Sequence, residues 1–230
     1  MNNRNLILIR HGESLWNQSN QFTGWRDIDL SIKGEEEALK AGILLSQNGF
    51  KFDYSYTSYL KRAIHSLWII LKNIDHSWIP IINDWRLNER HYGKLEGLNK
   101  KEVEAKYGSL QLHQWRRSFT IKPPQLSKDS IHFPGKNRRY SSIDPESLPT
   151  SENLKDTMHR VIACWNDSIF PKIKENKNIL IVAHGNSLRS LIKYLSNIND
   201  EDIEKIEINT GSPIVYEFNS SYEPIQYHLL

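Results

Sequence analysis

The sequence predicts an α/β protein, a three-layer sandwich of helices around a mostly parallel sheet. Three observations carry that expectation: short continuous apolar runs, apolar stripes of helical period alternating with them, and turn signals between the two. Leu6-Ile7-Leu8-Ile9 has the pattern of a strand buried on both faces, and it stops at Arg10-His11-Gly12. A helix opens after Leu30-Ser31, with apolar positions at Leu39, Ile43 and Leu44; Ser31 suits an N-cap and Asn48-Gly49 a C-terminal stop. Residues 53–57 read as a second strand. From Leu60, the apolar residues Ala63, Ile64, Leu67, Trp68 and Leu71 fall on one helical face. Leu154, Met158, Val161, Ile162, Trp165 and Ile169 form another stripe, ahead of the most strand-like run in the chain, residues 179–183. Leu188, Leu191, Ile192 and Leu195 then return to helical spacing, and residues 214–218 and 225–229 read as two closing strands.

One stretch breaks this rhythm. Pro123, Pro124, Pro134, Pro145 and Pro149 are five of the nine prolines. Proline lacks a donor and fixes its backbone, so the stretch is neither regular helix nor central strand. A surface excursion is the plain reading. Because Arg116-Arg117 stands at its start, the expectation is a lid or wall over a site.

At 230 residues and 27.0 kDa, with 38% hydrophobic and 25% charged residues, the chain has enough apolar material for a sizeable core in one domain, residues 1–230, and is not a disordered tail. Thirty basic against 27 acidic residues give +3. This mildly favours anionic ligands and falls short of the basic face that nucleic acid requires. The single cysteine, Cys164, excludes an internal disulfide and a cysteine-based zinc site, and suits a reducing, cytoplasmic setting. After Met1-Asn2-Asn3-Arg4-Asn5 only four apolar residues precede Arg10, too few for a signal peptide, and no run approaches the ~18 residues of a membrane span. No membrane partner is expected.

The chemistry is carried by two similar corners: Ile9-Arg10-His11-Gly12-Glu13-Ser14 and Ala183-His184-Gly185-Asn186-Ser187. Each is a buried strand, then His-Gly, then a helix. Ligands of open α/β sheets collect beyond the carboxyl ends of strands, where helix N-termini offer unpaired N–H groups that suit phosphate. A glycine after each histidine, Gly12 and Gly185, allows a sharp turn and close approach to a ligand. A lone histidine at a strand end is ordinarily a structural hydrogen-bonder. Two such corners, one with an adjacent arginine, point to a site. Metal binding is the competing reading for paired histidines, but neither corner has ligand spacing such as His-x-x-x-His, and no metal is expected. Arg10, Arg62, Lys100, Arg116 and Arg117 add candidate anion ligands, each otherwise an ordinary surface charge. Glu89, in Asn88-Glu89-Arg90-His91-Tyr92-Gly93, is a candidate proton-transfer group whose alternative is a surface ion pair with Arg90.

Taken with Phe22-Thr23-Gly24-Trp25, Thr57-Ser58, Lys61-Arg62-Ala63, the run from Leu87 to Gly97 and Trp115-Arg116-Arg117, these corners make the chain resemble the cofactor-dependent phosphoglycerate mutases over essentially its whole length. Arg-His-Gly alone marks only the wider histidine phosphatase superfamily; Glu-Arg-His-Tyr-Gly and Trp-Arg-Arg are more specific. The resemblance implies a phosphoglycerate mutase-like fold and interconversion of 3-phosphoglycerate and 2-phosphoglycerate in glycolysis and gluconeogenesis, primed by 2,3-bisphosphoglycerate. By position it makes His11 the phosphorylated residue, Glu89 the general acid/base and His184 a stabiliser of the transferring group. Arg10, Arg62 and Asn186 would hold that group. Ser14, Asn17, Thr23, Gly24, Tyr92, Lys100, Arg116, Arg117 and Gly185 would complete the substrate site. A phosphatase or bisphosphoglycerate synthase of the same superfamily is the nearest alternative, and a non-catalytic anion-binding protein a more distant one. Many members continue past the last strand with a mobile tail. Here the sequence ends at Leu230, leaving residues 122–149 as the expected cover against water. A homodimer is the family-led expectation, with Trp68, Ile69, Ile70 and Trp78 as apolar surface beyond what one helix face buries.

Overall fold

The computed structural model describes residues 5–230; residues 1–4, part of the case against a signal peptide, lie outside them. Six strands form one mixed sheet. In chain order they are β1 (Asn5–Arg10), β2 (Tyr54–Thr57), β3 (Ile81–Asn83), β4 (Ile179–Ala183), β5 (Pro213–Phe218) and β6 (Pro224–Leu229). Their order across the sheet is β3-β2-β4-β1-β5-β6. β1, β2, β3 and β4 pair in parallel, while β5 runs antiparallel to both β1 and β6. The apolar run of β1 is continuous because both of its faces are covered. Leu6 and Leu8 face one core with Ile179, Ile181, Leu188 and Leu191; Ile7 and Ile9 face the other with Leu180, Val182, Leu45 and Leu67. Each fully buried Leu or Ile side chain contributes roughly 1.5–3 kcal/mol, which fixes these central strands.

Among the described residues the α-helices are, in chain order, α1 (Leu15–Gln18), α2 (Ile32–Gln47), α3 (Lys61–Asn73), α4 (Lys100–Tyr107), α5 (Ser109–Arg117), α6 (Leu154–Cys164), α7 (Phe170–Lys174) and α8 (Gly185–Leu195). α2 and α3 cover one face, α6 and α8 the other. Ser31 caps α2 as the sequence predicts, its hydroxyl accepting from Gly34 N, and Asn48 closes it. The stripe from 154 to 169 is not one helix. It widens into a π-turn over Trp165–Ile169, where Pro171 has no N–H to give the Asp167 carbonyl. β3, α4 and α5 have no strong apolar period in the sequence.

The proline-rich stretch is not a cover. Its residues fold into short 3₁₀ turns whose Phe133, Tyr140 and Leu148 pack on Trp25. Asn88 Nδ2 donates to the Tyr140 oxygen at 2.9 Å, and Arg139 pairs with Asp27 at 2.6 Å. The stretch therefore buttresses the loops around residues 25 and 88 from behind, and contributes no side chain to the cavity described next. Trp68 and Trp78 stand 55% and 77% exposed, but Ile70 belongs to the core, so the expected apolar surface is narrower than the sequence implied.

Candidate active site

Both His-Gly corners lie at the carboxyl ends of the central pair β1 and β4. His11 N donates to Ala183 O at 2.9 Å, extending the ladder into the corner. The rings of His11 and His184 meet edge to face, with centroids 4.9 Å apart. Gly12 is required for packing and not for ligand approach: a Cβ there would lie 2.0 Å from the Gly34 carbonyl oxygen at the start of α2. Nor is Gly185 forced by close packing, since a Cβ there would meet nothing nearer than Arg10 Nε at 3.5 Å.

His11 Nδ1 lies 2.6 Å from the Gly12 carbonyl. A carbonyl only accepts, so the ring proton sits on Nδ1 and Nε2 keeps its lone pair. Arg62, buried at the start of α3, reaches Nε2 with its Nε at 3.3 Å, while its two terminal nitrogens donate to Gly24 O (2.7 Å) and Arg26 O (2.9 Å). Arg10 Nη1 donates to Ile208 O at 2.9 Å. Burial first, then the charges of Arg62 and Arg10, hold the His11 imidazole well below the usual histidine value. Burial, Arg62 and His11 do the same to His184, whose Nε2 lies 2.7 Å from Ser58 Oγ.

Glu89 is not half of a surface pair. Its Oε1 accepts from Arg90 N at 2.7 Å and from Asn186 N, at the N-terminus of α8, at 3.1 Å. The Arg90 guanidinium is buried elsewhere, donating to Tyr92 Oη at 3.1 Å and to the Arg116 carbonyl. The loop carrying Glu89 is clamped by Arg160 of α6, which donates to the carbonyls of Arg86, Asn88 and Glu89 and pairs with buried Glu152 at 2.7 Å. Trp25 Nε1 also donates to Glu89 O. Nothing in the sequence set Arg160 apart from any other helical arginine.

The cavity over these corners is lined by Arg10, His11, Asn17, Gln21, Phe22, Thr23, Gly24, Arg62, Glu89, Tyr92, Lys100, Arg116, Arg117, Gly185, Asn186 and Arg189. The corners and the scattered basic candidates thus converge. His184 sits behind His11, in the wall. Ser14 is the other candidate outside the lining: its hydroxyl caps α1, accepting from Asn17 N (3.2 Å) and donating to Asn17 Oδ1 (2.9 Å). Gly24 is required, with φ +51° and a Cβ position 2.0 Å from Glu96 Oε1. The sequence reading missed Gln21 and Arg189 as lining residues and assigned Phe22 no role. Arg189 was legible as the residue one helical turn beyond Asn186; Gln21 sits in an irregular loop with no such signal. Six cationic side chains and one carboxylate, Glu89, face this space. Burial and then Arg116 push the Lys100 ammonium down from its usual value, although Tyr92 opposes them. Arg117 pairs with Glu207 at 2.9 Å outside the lining, and the remaining cations are of the kind that a bound polyanion stabilises.

The two depressed histidines fix a pH response. Above about pH 6.5 a histidine is neutral in the unfolded chain, and both rings are neutral in the fold, so no stability depends on them. Below that value the unfolded chain binds protons that the folded chain refuses, and stability falls as pH falls toward the folded values. Denaturant melts at pH 7 and pH 5.5 are expected to show the loss, with NMR titration placing both folded rings below 6.5. A His11 midpoint at or above 6.5 would contradict the electrostatics of the site.

The site is thus a strand-end imidazole beside two arginines, with a second histidine against it. The model of the histidine phosphatase superfamily (branch 1) matches residues 6–227. A 2,3-bisphosphoglycerate-dependent phosphoglycerate mutase of Buchnera aphidicola subsp. Baizongia pistaciae is 56% identical over 225 residues, covering 98% of this chain and 97% of its own. The chain belongs to the 2,3-bisphosphoglycerate-dependent phosphoglycerate mutases within that superfamily. Solved structures share the fold at lower identity. A mycobacterial glucosyl-3-phosphoglycerate phosphatase in complex with VO3 superposes with a TM-score of 0.71 at 20% identity, over 98% of this chain and 97% of that one. A putative alpha-ribazole-5'-P phosphatase of Escherichia coli K-12 gives 0.68 at 23%, over 99% and 94%.

Proposed function

We propose that the chain interconverts 3-phosphoglycerate and 2-phosphoglycerate, in glycolysis and gluconeogenesis, through a phosphoryl group carried on His11 and primed by 2,3-bisphosphoglycerate. The observation that carries this reading is the His11 Nε2 lone pair, facing a cavity whose remaining charges suit a phosphorylated acid. His11 Nε2 attacks phosphorus as the P–O bond to the donor breaks, and Glu89 gives its proton to the leaving oxygen. In the return step the acceptor hydroxyl attacks phosphorus, its proton passes to Glu89, and the P–N bond breaks. Arg10, Arg62, His184 and Asn186 stabilise charge on the transferring oxygens, the work that a metal does elsewhere. Asn17, Thr23, Gly24, Tyr92, Lys100, Arg116, Arg117 and Gly185 hold the rest of the substrate. Ser14 supports them from behind, by fixing Asn17. The whole chain acts as one catalytic domain in the cytoplasm.

The test is turnover of 3-phosphoglycerate with and without 2,3-bisphosphoglycerate, in EDTA. Activity that needs the bisphosphate and withstands the chelator is expected. Release of inorganic phosphate as the main product would favour the phosphatase alternative.

We further propose a homodimer, with the exposed rings of Trp68 and Trp78 as the apolar surface it would cover. Sedimentation should give twice the chain mass, and Trp68→Glu should shift it toward monomer. A monomer at all concentrations would refute this arrangement.

A further inference from the structure

Arg189, on α8, has no part in the steps above, yet it is buried and lines the cavity. A guanidinium offers donors only. Arg189 Nη1 donates to Asn186 Oδ1 at 2.7 Å, and its Nε to the Ile206 carbonyl at 3.0 Å. Only the oxygen end of the Asn186 amide can meet such a donor, so Nδ2 is turned the other way, where it donates to Tyr92 Oη at 3.2 Å. Arg90 Nη2 donates to the same oxygen at 3.1 Å. Both acceptor positions of the phenol are then filled by protein donors. Its own proton has no acceptor among the described side chains and is left for the cavity.

We propose that Arg189 is a positioning residue which, through the Asn186 amide, commits Tyr92 to donate its hydrogen bond to the bound anion. Without Arg189 the amide is free to turn over. Its oxygen would then accept the Tyr92 proton, and the ligand would lose a donor. Arg189 keeps its charge at neutral pH, since burial and then Arg117 and Arg90 bring it down only to about 10. The inference rests on the phosphoglycerate reading for the identity of the anion, but not for the orientation of the amide.

The test is a double-mutant cycle read by calorimetry with 3-phosphoglycerate alone, so that no net transfer occurs. Arg189→Met and Tyr92→Phe are each expected to weaken binding about tenfold, the size of one hydrogen bond to a charged group. Together they should also weaken it about tenfold, because both remove the same bond. A roughly hundredfold loss in the double variant would overturn the proposal, since it would mean that Arg189 contacts the anion itself or acts through general loosening. Unchanged binding in Arg189→Met would overturn it too. If Arg189→Met does not fold, Arg189→Lys is read instead: it should weaken binding in the parent and leave it unchanged in the Tyr92→Phe background. Turnover of the unsubstituted chain is measured alongside. Binding without turnover would defeat the mutase reading and leave the positioning role standing.

Discussion

Replacement of His11 by alanine is expected to abolish both phosphoryl capture and mutase turnover, by roughly 10⁴-fold or more, as when a covalent nucleophile is removed. The expectation rests on a difference between two buried rings. His184 Nε2 already engages Ser58 Oγ at 2.7 Å, whereas His11 Nε2 meets only Arg62 Nε, at 3.3 Å. The Gly12 carbonyl holds the His11 proton on the far nitrogen, and burial beside two guanidinium groups keeps the ring neutral at neutral pH. It is a neutral nucleophile that needs no separate base. Incubation with labelled 2,3-bisphosphoglycerate should leave a phosphoryl group that is lost in acid and kept in base, as a phosphoramidate is. The same incubation of His11→Ala should leave none. Label that survived the substitution would move the nucleophile elsewhere, with His184 the first place to look.

The sequence showed the central strands and both histidine corners because these follow from period and composition. A strand covered on both faces must be apolar throughout, as residues 6–9 and 179–183 are, and the chain must turn where that run stops. The site was legible for a related reason: its chemical residues sit at element ends, so Arg62 at the start of α3 and Asn186 at the start of α8 stood out. What stayed hidden depends on contacts between distant segments. Arg160 reaches the Glu89 loop across more than seventy residues, and no local pattern marks it. Ser14 was expected to touch the substrate on the family resemblance alone, and its hydroxyl is spent on capping α1. The proline-rich stretch was correctly read as irregular, but proline content says nothing about which side of a loop it packs against. Its aromatic residues chose the back of the Trp25 loop.

That buttressing bears on the carboxylate of the site. Glu89→Gln keeps the shape of the side chain and can still accept from Arg90 N and Asn186 N through its remaining oxygen, so the fold of the loop should be unchanged. What is lost is the ability to take up and return a proton. Turnover is therefore expected to fall by about 10²–10⁴, the usual size of general acid–base catalysis. Capture of phosphate by His11 should slow as well, because the oxygen leaving the bisphosphate needs that proton. The Michaelis constant should change far less than kcat, since Arg10, Arg62, Lys100, Arg116 and Arg117 remain to hold the anion. Removing the one carboxylate that faces them tightens anion binding if it alters it at all. Steady-state kinetics and single-turnover labelling on one preparation separate these effects. Near-normal kcat in a folded Glu89→Gln variant would make Glu89 a brace for the α8 N-terminus and require another proton carrier. Tyr92 would then be the nearest candidate, because its hydroxyl already points its proton into the cavity.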